Sequence, residues 1–236
     1  MPPRTPSCCP SFATAAVSVA RLGLALTAAL GSIANAAGTA AATPAEFATE
    51  LLAIQIHWAD TNYSPDGETK DAACDNLEAQ AAAFSSRYPG RAEPLIWEGI
   101  VLGTAAGVRG GLDALGLATQ SRAKLEAALK IDPDALQGSA YTSLGTLYHK
   151  VPGFPIAFGS DTKAREFLEK ALAINPTGID PNYFYGVFLY DGGEYVPAKQ
   201  HLEKALRAPP RPNRQSADEG RRRDIRGLLA IIDAGG

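Results

Sequence analysis

Apolar residues recur along this chain at three- and four-residue spacing, in blocks that end on proline. Lys124-Leu-Glu-Ala-Ala-Leu-Lys-Ile-Asp-Pro133, Phe167-Leu-Glu-Lys-Ala-Leu-Ala-Ile-Asn-Pro176 and His201-Leu-Glu-Lys-Ala-Leu-Arg-Ala-Pro-Pro210 align position for position. The apolar positions of each block share one helical face. The closing proline stops the helix, because it has no amide proton and clashes with the preceding turn. Between the last two blocks the offset is constant: Ala164 to Ala198, Leu168 to Leu202, Ala171 to Ala205 and Pro176 to Pro210 are each 34 residues apart. A fixed period of that length predicts helical hairpins stacked in series. The small alanines let two helices approach closely, and the leucines fill the groove beside them.

The first helix of each hairpin carries its own marks. Gly186 lies 12 residues before Ala198, and Tyr141, Leu144-Gly145 and Tyr148 form an aromatic, Leu-Gly, aromatic series at three-residue spacing. Trp97, Gly99 and Leu102 form a looser copy, and a degenerate one is expected from Phe47 to Pro89, with Ala81 and Phe84 in the packing positions. The fold class is therefore all-α, a stack of about four helical hairpins. Ile225, Leu228, Leu229 and Ile232 form the apolar stripe of one more helix, expected to cover the open face of the last hairpin. Thr43-Pro44-Ala45-Glu46 reads as a cap, a first-turn proline and a capping-box glutamate. Asp180-Pro181 reads as another helix start, and Ser216 with Glu219 as the cap of the closing helix.

Two hairpins exceed the simple period. From Gly145 the closing proline is due at position 169 but stands at Pro176, and from Gly99 it is due at 123 but stands at Pro133. The additional seven and ten residues are assigned to long loops at 151–159 and 107–116. Phe154, Ile156 and Phe158 are too apolar to sit idle in water. Two readings stay open, folding back to plug the end of the groove or contact with a ligand or partner.

Composition changes the picture mainly at the start. The chain has 236 residues, 46% of them hydrophobic, and a formal charge of −3. Met1 to Ala36 holds Arg4 and Arg21, no acid, the apolar run Leu22 to Leu30 and then Ala34-Asn35-Ala36. Basic start, short apolar run and small-x-small site predict a secretory signal peptide over 1–36, cut after Ala36. The mature chain, 37–236, is then the helical repeat domain: exported to the periplasm, soluble, with Cys74 as its one thiol and a charge of −5 once the two arginines leave. A lone cysteine in an exported chain forms no internal disulfide.

The period and its glycine, alanine and proline positions resemble the tetratricopeptide pattern. More specifically, Leu144-Gly-Thr-Leu-Tyr-His-Lys-Val-Pro-Gly-Phe-Pro-Ile-Ala-Phe-Gly159, Asn175-Pro-Thr-Gly-Ile-Asp-Pro-Asn-Tyr-Phe-Tyr-Gly186 and Ala208-Pro-Pro-Arg-Pro212 running into Ala217-Asp-Glu-Gly-Arg221 resemble the tetratricopeptide-like T component of TRAP transporters. The likeness extends over most of Thr43 to Ile232. It implies an all-helical periplasmic protein with a central groove or pore, whose partner is the solute-binding component of a TRAP system importing organic acids or other small ligands. A small organic ligand of its own and self-association are further expectations. The lipid-anchoring cysteine that some members carry is missing here.

Catalytic chemistry finds no motif. His57, His149 and His201 fall in three different repeats, without the clustered carboxylates or cysteines of a metal site. No G-x-S-x-G, Walker loop or Cys/His pair is present, so neither an enzyme nor a cofactor is expected. Arg207, Arg211, Arg214, Arg221, Arg222, Arg223 and Arg226 are interrupted by Asp218, Glu219 and Asp224. They read as a solvated helix face with local ion pairs, or as a contact for anionic lipid or an acidic partner. Nucleic acid is not expected, for want of a basic track with aromatic stacking.

The repeat register nominates a binding surface. In tetratricopeptide hairpins positions two, five, nine and twelve of the first helix line the concave side. With Gly145 at position eight these are Ser139, Thr142, Thr146 and His149; with Gly186 at position eight they are Asp180, Tyr183, Val187 and Tyr190. Polar, aromatic and acidic groups together are common in ligand sites. Tyr183, Phe184 and Tyr185 are consecutive and cannot share one face, so Tyr185, in the packing register, is assigned to the core. The expected ligand or partner contacts are thus Ser139, Thr142, Thr146, His149, Phe154, Phe158, Asp180, Tyr183 and Tyr190. The expected function is a periplasmic accessory subunit docking a solute-binding protein, the alternative a general periplasmic scaffold for peptides or envelope proteins.

Overall fold

The computed structural model describes residues 43–65 and 67–235. The leader predicted over 1–36, with Cys8 and Cys9, lies outside the described residues. Those residues form nine helices: α1 (Pro44–Asn62), α2 (Glu68–Arg87), α3 (Ala92–Arg109), α4 (Gly111–Ile131), α5 (Ala135–Lys150), α6 (Asp161–Ile174), α7 (Ile179–Asp191), α8 (Tyr195–Leu206) and α9 (Gln215–Asp233). Consecutive helices pack against one another along the whole series, as four hairpins followed by α9. No described helix is long and apolar enough to cross a membrane.

One packing device is repeated in three hairpins. The glycine of the first helix faces a leucine of the second. A Cβ on Gly99, Gly145 or Gly186 would lie 2.6, 2.6 or 2.9 Å from the Cγ of Leu125, Leu168 or Leu202. All three leucines are fully buried, which contributes roughly 1.5–3 kcal/mol each relative to exposure. One turn earlier on the second helix stand Ser121, Ala164 and Ala198, whose small side chains allow the close approach. Ser121 Oγ donates to the Gly99 carbonyl at 2.7 Å, so its hydroxyl is satisfied inside the core. The first hairpin lacks this crossing and uses aromatics instead, Phe47 and Phe84 stacked at 5.4 Å with Tyr88 edge-on to both. Cys74 is buried beside Leu77 on α2 as a small apolar group.

The two insertions take different forms. Around the α5–α6 turn all seven additional residues lie in the connection, so 151–160 stands where α7–α8 has only 192–194. The ten around 107–116 are not a loop. They lengthen both helices beyond the glycine–leucine crossing, and Gly110 alone separates α3 from α4. The turn closes because Gly110 and Gly111 both have φ +63°, a conformation that costs glycine little.

Helix starts agree with the sequence at one end and depart from it at the other. Thr43 Oγ1 accepts from the Glu46 amide at 3.2 Å and Glu46 Oε2 accepts from the Thr43 amide at 2.7 Å, a complete capping box. α7 begins one residue before Asp180, with Gly178 as its cap. α9 begins at Gln215 with Arg214 in the cap position, so Ser216 is already helical and makes no cap bond.

α9 does more than cover the last hairpin. Ile225 is fully buried among Ile179, Leu202 and Ala205, while Ala217 enters the aromatic core of α1 to α3. A Cβ on Gly220 would sit 2.4 Å from the Tyr63 ring, so the missing side chain is what lets α9 meet the end of α1. The last helix thereby touches the first, and a partly open cavity lies between α1, α3, α5, α7 and the α8–α9 connection.

Candidate functional site

The cavity has a volume of about 520 Å³, within the usual range for small-molecule sites. Five segments meet around it: Gln55 of α1, Trp97 of α3, Leu136 to Thr142 at the start of α5, Asn175 to Pro181 entering α7, and Ala208 to Arg214 between α8 and α9. Its wall includes Leu136 (φ +49°) and Gln137 (φ +57°), which with the following Gly138 (φ +75°) make three successive left-handed residues. Only Gly138 adopts that conformation cheaply, so Leu136 and Gln137 are strained. Gln137 is held by the Asn175 amide, which donates to its Oε1 at 2.9 Å.

Of the nine residues nominated by sequence, the structure brings Ser139, Thr142 and Asp180 to this cavity. Ser139 Oγ donates to the Leu136 carbonyl at 2.6 Å and so braces the strained segment. Thr146, one turn beyond Thr142, returns its hydroxyl to the Thr142 carbonyl at 2.9 Å. His149 sits at the hairpin-turn edge, with Nδ1 2.9 Å from Asp161 and Nε2 2.8 Å from Asp191, and joins α5, α6 and α7. Tyr190 packs against Tyr195 at the same edge, centroids 5.5 Å apart. Tyr183 lies under the Arg221 guanidinium at 4.2 Å and belongs to the contact with α9. Tyr185 is only partly buried; it packs on Phe188 and His201 and receives Arg165 on its hydroxyl at 3.2 Å.

The loop aromatics separate. Phe158 folds back onto Tyr148 at 5.3 Å, with Arg122 over its other side at 4.2 Å. Phe154 and Ile156 are 95% and 70% exposed. Val151 and Phe158 pack beside Ala114 and Leu117, near the α3–α4 turn, and Lys150 reaches Asp191, at the α7–α8 turn, at 2.6 Å. Three hairpin turns therefore share one edge, which also exposes Leu112 and Val196.

The arginine-rich segment is not a solvated face throughout. Arg221 is buried and its Nε donates to Asp180 at 3.0 Å, while Arg211 bridges Asp180 at 2.5 Å and Asp218 at 2.7 Å. Burial alone would raise the Asp180 carboxyl, but Arg211 and Arg221 hold it down at about 2. Asp180 thus borders the cavity with its charge already matched. Arg222 donates to the Ala208 carbonyl at 3.0 Å, whereas Arg207, Arg223 and Arg226 are exposed.

Arg214 is the exception in this network. It lines the cavity and makes no ion pair among the described residues, and its buried Nε has no acceptor. Its guanidinium lies 5.2 Å from the Trp97 ring centre, and the Trp97 indole N–H is also buried without a partner. Burial first, and neighbouring Arg211 second, bring Arg214 down to about 10. Trp97 was legible as a repeat landmark and Arg214 as part of a basic run; their meeting depends on α9 closing onto the first hairpins. A second cavity, of about 610 Å³, adjoins Asn62, Lys70 and Thr104. Its lysine already donates to the Asn62 and Ser64 carbonyls at 3.2 and 3.3 Å.

The chain matches no protein-family model and no curated protein.

Proposed function

We propose that this chain is a non-enzymatic helical-repeat accessory protein of the periplasm. It docks a partner, the solute-binding component of a TRAP transporter, and holds a small ligand in its central cavity. The observation that carries this reading is the ligand-sized cavity walled by five separate segments, with strained backbone and an arginine without an ion pair in its wall. The partner and the compartment follow from the resemblance of the 144–159 and 175–186 segments and from the leader pattern. The edge bearing Phe154, Ile156, Leu112 and Val196 supplies the docking surface, since exposed apolar clusters mark contact sites more often than idle surface.

Affinity capture of the mature chain from native periplasm, followed by native mass spectrometry, tests the reading. The expected result is a stoichiometric complex with a TRAP solute-binding protein, lost in the F154E/I156E double variant. Capture that yields no solute-binding protein sinks the transporter assignment.

A further inference from the structure

The charges around the central cavity do not cancel. Arg211, Arg214, Arg221 and Arg222 surround it or lie directly behind its wall, against Asp180, Asp218 and Asp224. Every aspartate is engaged: Asp180 by Arg211 and Arg221, Asp218 by Arg211 with Arg222 at 3.9 Å, and Asp224 by Arg221 at 3.3 Å. One cation, Arg214, is left over at the cavity wall. Arg214 is half-buried beside the Trp97 ring, and its enclosed Nε loses hydration without gaining an acceptor. The neighbouring indole N–H of Trp97 is orphaned as well. A cavity whose wall carries one guanidinium without an ion pair calls for a ligand that brings acceptors and one negative charge.

The remainder of the wall indicates the rest of that ligand. Trp97, Leu136, Ile179, Pro181, Pro210 and Pro212 present rings and aliphatic carbon, suited to an apolar body and costly for a highly hydrated one. We infer that the central cavity binds a monocarboxylate with an apolar body, its carboxylate on Arg214 and its body against Trp97 and the proline-rich α8–α9 connection. This rests on the reading of the cavity as a ligand site and is independent of which protein docks at the hairpin-turn edge.

Octanoate and 3-phenylpropanoate are suitable probes, with octanamide and 3-phenylpropanamide as their uncharged counterparts. Calorimetric melting and tryptophan fluorescence are recorded on the mature chain. Both carboxylates are expected to raise Tm saturably and to perturb the fluorescence, and both amides to bind at least tenfold more weakly. R214M is expected to lose at least tenfold in carboxylate affinity, since charge-assisted hydrogen bonds are the strong ones. Its ligand-free Tm is expected at or above wild type, because a half-buried cation without an ion pair has been removed. R214Q, which keeps a polar group, provides the same comparison should R214M fail to fold.

Equal binding of acids and amides, or undiminished carboxylate binding by the variants, overturns the carboxylate assignment while leaving a ligand cavity in place. A lower ligand-free Tm for both variants marks Arg214 as structural and also counts against it. Failure of all four probes removes the ligand half of the proposed function, whereas capture of the solute-binding partner is unaffected by any of these results.

Discussion

The α3–α4 and α5–α6 hairpins both carry more chain than α7–α8, and they store it differently. From the glycine of the crossing to its leucine, Gly186 to Leu202 spans 16 positions, Gly145 to Leu168 spans 23 and Gly99 to Leu125 spans 26. The ten additional positions of α3–α4 become helix, because Ala105, Ala106, Ala114, Leu115, Leu117 and Ala118 are good helix formers and a single left-handed glycine pair makes the turn. The seven of α5–α6 cannot, because Pro152 and Pro155 each interrupt a helix. The same kind of excess thus gives rigid extension in one hairpin and a folded loop with exposed Phe154 and Ile156 in its neighbour. Proline placement, rather than insertion length, decides between them.

The sharpest way to break the comparison is Gly159→Ala. A Cβ there would lie 1.8 Å from the Val151 carbonyl oxygen, where the loop doubles back and the Gly159 amide donates to Pro152 at 2.9 Å. Backbone has to move, and a loss of about 3 kcal/mol is expected, at the upper end of ordinary point variants. Urea unfolding of the mature chain measures it; a loss under about 1 kcal/mol would mean the loop has room to rearrange. Phe158→Ala comes next, at roughly 2 kcal/mol, less than a fully buried phenylalanine because this ring is only partly covered. Phe154→Ala on the same loop is expected to leave stability within about 0.5 kcal/mol. Equal losses for the two would contradict the division between a packed and an exposed aromatic.

On the other hairpin the expected sign reverses. Gly116 lies within α4, and a Cβ there meets nothing within 4 Å. Gly116→Ala is expected to stabilise by about 0.5–1 kcal/mol, the ordinary difference between the two residues inside a helix. A thermal melt that moves downward would show that the extension is not regular helix at this point.

Much of the architecture was legible locally. The Leu125, Leu168 and Leu202 register, the glycines opposite them and the Thr43–Glu46 capping box all rest on contacts within a hairpin or a single turn. What escaped reading depends on distant chain. Gly220 of α9 comes against Tyr63 of α1, at the other end of the described chain, and no local pattern specifies that contact. The cavity was legible in part: Ser139, Thr142 and Asp180 reach it, while Thr146, His149, Tyr183 and Tyr190 lie elsewhere because α7 leans onto α9 and the hairpin turns hold their own edge. One overlooked signal was available. Asp218, Arg221 and Ile225 follow at spacings of three and four, so the buried stripe of α9 continues into charged residues. Charges in line with a core isoleucine are better read as a buried network than as a solvated face.

The smallest expected effect separates the two hairpins by pH. The α5–α6 end is tied to α7 through Asp191, which accepts from Lys150 at 2.6 Å and lies 2.8 Å from His149. Burial would raise this carboxyl, but the bonds from Lys150 and His149 lower it below the usual aspartate value. A lowered folded-state pKa stabilises fully above the unfolded value near 3.9 and is lost as pH falls through the folded value. The tie is therefore intact at neutral pH and fades on acidification below about pH 4. Asp191 is a third exposed, and solvent screening limits its share to a few tenths of a kcal/mol. Asp191→Asn should flatten the acid limb of the stability–pH curve by that amount. It should also raise hydrogen exchange at the Gly159 and Ser160 amides at neutral pH while leaving the α3–α4 turn unchanged. An acid limb identical to wild type would assign the α5–α6 edge to Phe158 packing alone, and the loop would then be held by the same apolar contacts that extend its helical neighbour.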